Sequence, residues 1–214
     1  PSWRSRRCSS STPRAWRASS WTAAACACAF AGAAQAENVK LKVGVTPGSR
    51  VLDAGTGPGV LQPCLRRILG GDGILAAFDI SGNMIRQARR KQLAPRDLFF
   101  QGDALHMAVR RNWFDHVICF AAFPHFADPA LALEELARAA RPGGEVIIAH
   151  LMSREELTRH HGSAKAVADD LLPRAADMER FFLRAGLSRP DITDRPGRYL
   201  ARARKTGTTP PDAE

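Results

Sequence analysis

The residues with the clearest chemical potential form a glycine-rich loop after a short apolar segment. Residues 51–59 read Val-Leu-Asp-Ala-Gly-Thr-Gly-Pro-Gly, which places Gly55, Gly57 and Gly59 at alternate positions. Glycines allow a sharp turn and let backbone amides approach a bound molecule closely. A helix that starts after such a loop directs its positive end towards the same point, where it favours a negative group. The loop therefore predicts a small-molecule site.

The spacing of the glycines separates this loop from the dinucleotide-binding type. A dinucleotide fingerprint has the pattern G-x-G-x-x-G, whose third glycine would stand at position 60, where this chain has Val60. The pattern G-x-G-x-G, with Asp53 two residues before its first glycine, resembles motif I of class I S-adenosylmethionine-dependent methyltransferases. Residues 138–144, before an apolar segment, are similar to the turn that precedes strand five in these enzymes. The resemblance covers about residues 41–204 and implies S-adenosylmethionine as the cofactor.

The resemblance also assigns cofactor contacts to residues at the ends of the predicted strands. Asp53 and the glycine loop would position the methionine part of the cofactor. Asp79 ends the second strand, where a carboxylate can accept hydrogen bonds from both ribose hydroxyls. Asp103 follows the third strand, at the position that contacts the adenine amino group in the family. The complete expected cofactor set is Asp53, Gly55, Thr56, Gly57, Gly59, Asp79, Ile80, Asp103, Ala104 and Phe120.

The segment after the fourth predicted strand contains the candidate catalytic residue. Family members that methylate amino groups of bases or amides often have Asn/Asp-Pro-Pro-aromatic here, whereas residues 120–126 read Phe-Ala-Ala-Phe-Pro-His-Phe. His125 stands where the methyl group would be delivered. Because histidine can take a proton from a nucleophile near neutral pH, His125 is the predicted general base.

Further polar residues follow the fifth predicted strand and form the expected acceptor site. Two uses of the histidines stay open, namely acid–base work on a thiol or hydroxyl acceptor, and ligation of a metal or metallated tetrapyrrole. The adjacent pair at positions 160 and 161 lacks the i,i+4 spacing of helical metal ligands, so no metal site is predicted. Residues 153–173 are expected to form a lid over the acceptor, including a helix at 166–172. The predicted acceptor residues are His125, His150, His160, His161 and Asp170.

Part of this region is similar to an uncharacterised branch of the family with no assigned acceptor. The similar segments are Asp170, Leu172-Pro173 and Arg198-Tyr199-Leu200. They extend the resemblance towards the end of the chain without naming a substrate.

The elements that must position these residues alternate between strands and helices. Apolar runs predict strands over residues 50–54, 74–78, 98–101, 117–120, 145–149, 188–193 and 199–204. Helical spacing and capping residues predict helices over 60–69, 81–92, 128–140, 154–159 and 177–185. This order predicts an α/β fold, a Rossmann-like three-layer sandwich whose mostly parallel seven-stranded sheet has an antiparallel last strand. Ligands of such sheets bind at the carboxyl ends of the strands.

Charge and composition bear on the partner. The 214 residues carry 31 basic and 21 acidic side chains, a net charge of +10, but residues 1–36 contain five arginines and no acid. The remaining excess is modest, so a nucleic-acid partner is not expected, and we predict a small-molecule methyl acceptor. The alternatives are an RNA-directed methyltransferase and a catalytically inactive domain that binds cofactor or metal.

The first 36 residues differ from the rest of the chain. They are rich in arginine and serine and free of acids, which is typical of a plastid or mitochondrial transit peptide. A misassigned gene start and genuine structure are the other interpretations. We expect residues 1–36 to be disordered, 37–205 to form the methyltransferase domain and 206–214 to be a disordered tail. No apolar run long enough for a membrane span follows residue 36, and an intracellular location, in the cytoplasm or an organelle, is expected.

Overall fold

The computed structural model describes residues 44–91, 94–162 and 170–207. The strands are β1 (Arg50–Ala54), β2 (Ile74–Asp79), β3 (Leu98–Gln101), β4 (Phe114–Phe120), β5 (Ala140–His150), β6 (Asp191–Arg195) and β7 (Arg198–Arg204). The helices are α1 (Gln62–Leu69), α2 (Gly82–Arg89), α3 (Pro129–Ala139), α4 (Arg154–Gly162) and α5 (Ala175–Arg184), and a 3₁₀ turn spans Phe123–His125. The predicted segment at residues 1–36 lies outside the described ranges.

The strands form one seven-stranded sheet in the order β3-β2-β1-β4-β5-β7-β6. Strands β1 to β5 pair in parallel, whereas β7 is antiparallel to both of its neighbours, β5 and β6. Helices α1 and α2 pack on one face of the sheet, and helices α3, α4 and α5 pack on the other. The predicted Rossmann-like three-layer sandwich with an antiparallel last strand is therefore confirmed.

Capping residues begin and end the helices at the expected places. The Ser81 hydroxyl accepts a hydrogen bond from the Met84 amide at 3.4 Å at the start of α2. The Asp128 carboxylate accepts bonds from the second and third amides of α3, each at 3.0 Å. Gly186 ends α5 with a φ of 74°, which suits glycine. Side-chain caps of this kind each stabilise a helix by about 1 kcal/mol.

Some predicted boundaries were wrong because tertiary pairing decided them. The predicted turn at residues 141–144 is an irregularity within β5, where the pairing with β4 jumps from Ala140 to Glu145. The predicted strand at 188–193 is found at Asp191–Arg195, where it pairs with β7. Of the predicted helix at 166–172, residues 166–169 lie outside the described ranges, and residues 170–172 are not helical.

Two observations concern the limits of the domain. Thr206 makes two hydrogen bonds to the Gly186 carbonyl, through its amide at 3.1 Å and its hydroxyl at 2.8 Å. The chain after β7 therefore packs on the domain as far as Thr206, and residues 208–214 of the predicted tail lie outside the described ranges.

No helix within the described ranges combines the length and the apolar character that a membrane span requires.

The parallel strands bring their carboxyl ends to one edge of the sheet. Asp79 ends β2 and pairs with Gln101 at the end of β3, and Phe120 at the end of β4 pairs with Ala149 of β5. Residues that follow these strands therefore meet although they are far apart in the sequence.

Candidate functional site

The glycine loop after β1 is held tightly against the loop after β4. The amides of Gly55 and Thr56 both donate to the Phe78 carbonyl at 2.9 Å. Gly55 has a φ of 70°, and a Cβ atom added there would collide with the Cβ of Ala122. Only glycine satisfies both the left-handed backbone and this close approach. The loop therefore needs glycine at this position to reach its neighbour.

Asp53 lies behind the glycine loop and is almost completely buried, with 1% of its surface exposed. Its Oδ2 atom accepts a hydrogen bond from the Thr56 hydroxyl at 2.6 Å, and that hydroxyl accepts one from Gln62 Nε2 at 3.4 Å. The pKa of Asp53 is raised to about 7, chiefly by burial and also by the nearby Asp79 charge, while the Thr56 bond lowers it. Asp53 thus titrates near neutral pH.

Asp79 is positioned by two backbone amides, one on each carboxylate oxygen. Oδ2 accepts from the Gly57 amide at 2.9 Å, and Oδ1 accepts from the Ser81 amide at 2.8 Å. Burial raises the pKa of Asp79, while the two amide bonds lower it. Each carboxylate oxygen retains capacity for a further hydrogen bond, so a fixed carboxylate with acceptor capacity lies at the end of β2.

A cleft opens at this edge of the sheet. Asp79 and Asp103 supply its carboxylates. Asp103 is held by its own backbone, since Oδ1 accepts from the Leu105 amide at 2.9 Å. Six predicted residues line the cleft, namely Gly55, Asp79, Ile80, Asp103, Ala104 and His125. Sequence reasoning missed Phe78, Gly102, Leu105, Ala122 and Phe126, which also line it and mostly neighbour a predicted residue in sequence.

Some predicted cofactor residues do not line the cleft. Phe120 is 8% exposed and packs in the apolar cluster on the side of α1, so the structure does not place it in the site. Alternation along β4 explains this placement, because neighbouring side chains of a strand point to opposite faces. Four more predicted cofactor residues are not among those that line the cleft, namely Asp53, Thr56, Gly57 and Gly59.

The turn after β4 contains a strained residue. Ala121 has a φ of 55°, which is costly for a residue with a Cβ atom. Its amide donates to the Ala149 carbonyl at 2.8 Å, which holds it in place. Strain of this kind concentrates at functional sites. The 3₁₀ turn that carries His125 follows directly.

The structure brings three of the predicted acceptor residues together. His125 Nδ1 lies 2.7 Å from Asp170 Oδ2, and His161 Nδ1 lies 2.6 Å from the Asp170 carbonyl oxygen. The centroids of the His125 and His161 rings are 5.6 Å apart. Asp170 is therefore held between two imidazoles, one at its carboxylate and one at its backbone.

The other two predicted histidines differ in burial. His150 is buried, and its Nδ1 atom accepts from the Met152 amide at 3.0 Å, so the neutral ring carries its proton on Nε2. Burial, together with the charges of His125, His160 and His161, lowers the pKa of His150 to about 4, although the bond from the Met152 amide raises it. Burial also lowers the pKa of His161, whereas its bond to the Asp170 carbonyl raises it. His160 is exposed, with its ring centroid 5.9 Å from that of His161.

A metal site does not emerge from these side chains. In the described ranges, no group of three or more histidine, cysteine, aspartate or glutamate side chains is arranged to hold a metal ion.

Part of the chain is similar to known methyltransferases. Residues 52–148 match the Methyltransf_11 family model, described as a methyltransferase domain. Methyltransferase GfsG of Streptomyces halstedii is 30% identical over 133 residues, which cover 60% of this chain and 47% of that protein. Demethylmenaquinone methyltransferase of Staphylococcus aureus is 29% identical over 112 residues, covering 52% and 46%. The chain therefore spans about half the length of the curated relatives that it matches.

Solved structures share the fold. A methyltransferase from Haloferax volcanii, solved with the Trm112 methyltransferase activator, has a TM-score of 0.71 at 23% identity and covers 86% of this chain and 96% of that chain. An S-adenosylmethionine-dependent methyltransferase from Aquifex aeolicus has a TM-score of 0.65 at 22% identity, with 79% and 88% covered. These solved structures thus share the fold of this chain, and residues 52–148 are similar to a methyltransferase domain.

Proposed function

We propose that this domain transfers a methyl group from S-adenosylmethionine to a small-molecule acceptor, with His125 as the general base. One observation carries the proposal, namely the contact of 2.7 Å between His125 Nδ1 and Asp170 Oδ2 at the wall of the cleft. His125 lines the cleft together with Asp79 and Asp103, the two carboxylates proposed to bind the cofactor.

The residues of the cleft suit the cofactor in shape and charge. Asp79 can accept hydrogen bonds from the ribose hydroxyls, because both of its oxygens are already oriented by backbone amides. Asp103 can accept from the adenine amino group, and Ile80 and Ala104 offer apolar surface to the adenine ring. The buried carboxylates of Asp53 and Asp79 make this edge of the sheet electronegative. That charge favours a ligand that carries a sulfonium and an ammonium group.

His125 can act as the base through its second ring nitrogen. An ionised carboxylate only accepts hydrogen bonds, so the proton of a neutral His125 ring lies on Nδ1, facing Asp170. Nε2 then has a lone pair with which to take the proton that a hydroxyl or thiol acceptor loses. The cofactor supplies an electrophilic methyl group, and the domain must align the acceptor with it and exclude water. His150, neutral near pH 7, adds no positive charge beside this pair.

The charge of the cleft favours a small acceptor over a nucleic acid. Its lining residues include two carboxylates and no lysine or arginine among the described residues, whereas a nucleic-acid backbone is bound through basic side chains. The name of one relative, demethylmenaquinone methyltransferase, also describes a small acceptor for that protein. A hydroxyl or thiol acceptor is the class that matches a histidine base. The predicted lid at residues 153–173 stays a prediction.

A binding and transfer experiment tests the proposal. Calorimetry with the purified chain should detect S-adenosylmethionine binding, and a radiolabelled methyl-transfer screen should use phenols, other hydroxyl compounds, thiols, amines and unmodified transfer RNA. We expect turnover with a hydroxyl or thiol compound. His125→Ala should abolish this turnover and change the cofactor Kd by less than about threefold, because other residues hold the cofactor.

Three results would overturn the proposal. Methyl transfer to transfer RNA alone would make the domain RNA-directed. Cofactor binding without transfer to any acceptor would indicate a binding domain. Full turnover by His125→Ala would remove the base from the mechanism.

A further inference from the structure

Helix α4 holds the segment at residues 170–172 by its backbone carbonyls. His161 Nδ1 lies 2.6 Å from the Asp170 carbonyl oxygen, and Arg154 Nε donates to the Leu172 carbonyl at 3.0 Å. The two side chains are seven residues apart, two helical turns, so they lie on the same face of α4. The segment therefore lies along the helix and is attached to it at two points.

The atoms at the first attachment settle where the proton lies. A carbonyl oxygen only accepts hydrogen bonds, so Nδ1 of His161 must be the donor. His161 is 4% exposed, which shields the bond from water. Leu172, at the second attachment, is 1% exposed and belongs to the main apolar cluster. The segment is thus anchored by a buried donor and a buried side chain.

Helix α4 is itself fixed at its first turn. Ser153 and Glu156 form a reciprocal capping box, in which each side chain accepts from the backbone amide of the other, at 3.2 and 2.8 Å. Glu156 also accepts from the Gly197 amide in the β6–β7 turn at 2.8 Å. Asp194 of β6 accepts from the Arg154 amide at 2.9 Å. Strand β6 and the β6–β7 turn therefore fix α4, and α4 in turn fixes the segment at residues 170–172.

The same segment presents a carboxylate to the proposed base. Asp170 receives the His161 donor at its carbonyl and contacts His125 through Oδ2. The two contacts are made by one residue, so a shift of its backbone also moves its carboxylate. His125 and Asp170 are 45 positions apart in the sequence, so the packing of the chain is what brings the pair together.

We propose that His161 is a positioning residue for methyl transfer, which it serves by holding Asp170 so that the Asp170 carboxylate keeps the proton of His125 on Nδ1. This inference rests on the proposed function, in which His125 Nε2 is the base. In this inference His161 acts by positioning Asp170, whereas the sequence predicted that His161 contacts the acceptor. Arg154 supports the same segment at its other end.

Two substitutions at position 161 separate the donor from the bulk of the side chain. His161→Asn keeps an N–H group near the position of Nδ1, whereas His161→Leu removes the donor and fills similar space. The matched control is Arg159→Gln, on the exposed side of α4, where the arginine makes only an exposed ion pair with Glu155 in the described structure.

The main measurement is the ¹⁵N spectrum of the histidine rings in the full chain, because it reports which ring nitrogen carries the proton and needs no acceptor. We expect His125 to be protonated on Nδ1 in the natural protein, in His161→Asn and in Arg159→Gln. In His161→Leu the His125 signals should change to a mixture of tautomers. Calorimetry should show an S-adenosylmethionine Kd within about threefold in all four proteins.

Turnover on the acceptor found in the methyl-transfer screen gives the second measurement. His161→Leu should lower kcat by up to about 100-fold, the cost of a misplacement on the order of 1 Å, and His161→Asn should recover most of it. An unchanged His125 tautomer in folded His161→Leu would overturn the inference. If that variant does not fold, Arg154→Met replaces it, with a smaller change in the same direction expected and an unchanged spectrum again contradicting the inference.

The spectra also separate failure of this inference from failure of the proposed function. If His125→Ala retains full turnover, the base is wrong, and that result appears without any variant at position 161. If His125→Ala is inactive but His161→Leu leaves both the tautomer and kcat unchanged, only the positioning role is wrong.

Discussion

Replacing Asp53 with asparagine should make the cofactor-free protein more stable at high pH. Asp53 is buried, and burial raises its pKa from 3.8 to about 7. The folded protein therefore keeps a proton on this group over a pH range in which the unfolded chain has lost it. Because unfolding then releases a proton, the free energy of unfolding falls as the pH rises from about 4 to 7. Asparagine has no such titration.

The size of the effect follows from the two pKa values. One pKa unit corresponds to about 1.4 kcal/mol, so the ionised Asp53 costs the folded state about 4 kcal/mol above pH 7. The Thr56 hydroxyl can still donate to the carboxamide oxygen of asparagine, so the variant loses little else. For a domain of this size the gain corresponds to a Tm increase on the order of 10 °C.

Thermal denaturation followed by circular dichroism at pH 5, 6, 7 and 8 measures this difference. The Tm of Asp53→Asn minus that of the natural protein should increase from pH 5 to pH 8. Asp72→Asn, at an exposed acid in the turn before β2, is the control for replacing a surface carboxylate. A difference for Asp53→Asn that is flat across this range would refute the reasoning.

Binding of the cofactor should favour the natural protein over Asp53→Asn. An ionised Asp53 is compensated by a cationic ligand, so S-adenosylmethionine should stabilise the natural protein more than Asp53→Asn at pH 8. Asp53→Asn should therefore raise the Tm without cofactor and reduce the increase in Tm that the cofactor causes. This pair of effects distinguishes an electrostatic role of Asp53 from a packing defect. A packing defect would lower the Tm with and without cofactor.

Two further predictions concern the loop and the histidines. Gly55→Ala should destabilise the domain by at least about 1–2 kcal/mol, because alanine is strained at a positive φ and its Cβ would collide with Ala122. Chemical denaturation measures the free energy of unfolding. The control is Gly71→Ala, where an added Cβ meets open space. His150, whose pKa is lowered to about 4, should show no protonation between pH 8 and 6 in an NMR titration, whereas a transition in that range would show that the ring is hydrated.

Local patterns account for most of the fold that was predicted. The strands at β1 and β3 have the predicted bounds, and Ser81 and Asp128 cap the predicted helices. These features depend on neighbouring residues, since a strand needs an apolar run and a cap needs one oxygen near a free amide. A turn was predicted at residues 141–144, but its place inside β5 depends on the pairing of β5 with β4 and could not be predicted.

The sequence alone determined which acids and glycines line the cleft, because an acid and a glycine loop directly after a strand must lie at the strand's carboxyl end. Asp79, Asp103 and Gly55 line one cleft for that reason. Phe120 shows the limit of the argument, since its side chain packs into the core on the α1 side of the sheet instead.

Only the tertiary structure decided how the acceptor side is arranged. His125, Asp170 and His161 carry no spacing that indicates a contact. They meet because His161 of α4 and Asp170 lie against the turn after β4 that carries His125. Burial, which no local pattern reveals, makes Asp53 titrate near pH 7 and keeps His150 neutral. Residue types and their order thus determine which chemistry is available, whereas packing determines which groups touch and which of them carry charge.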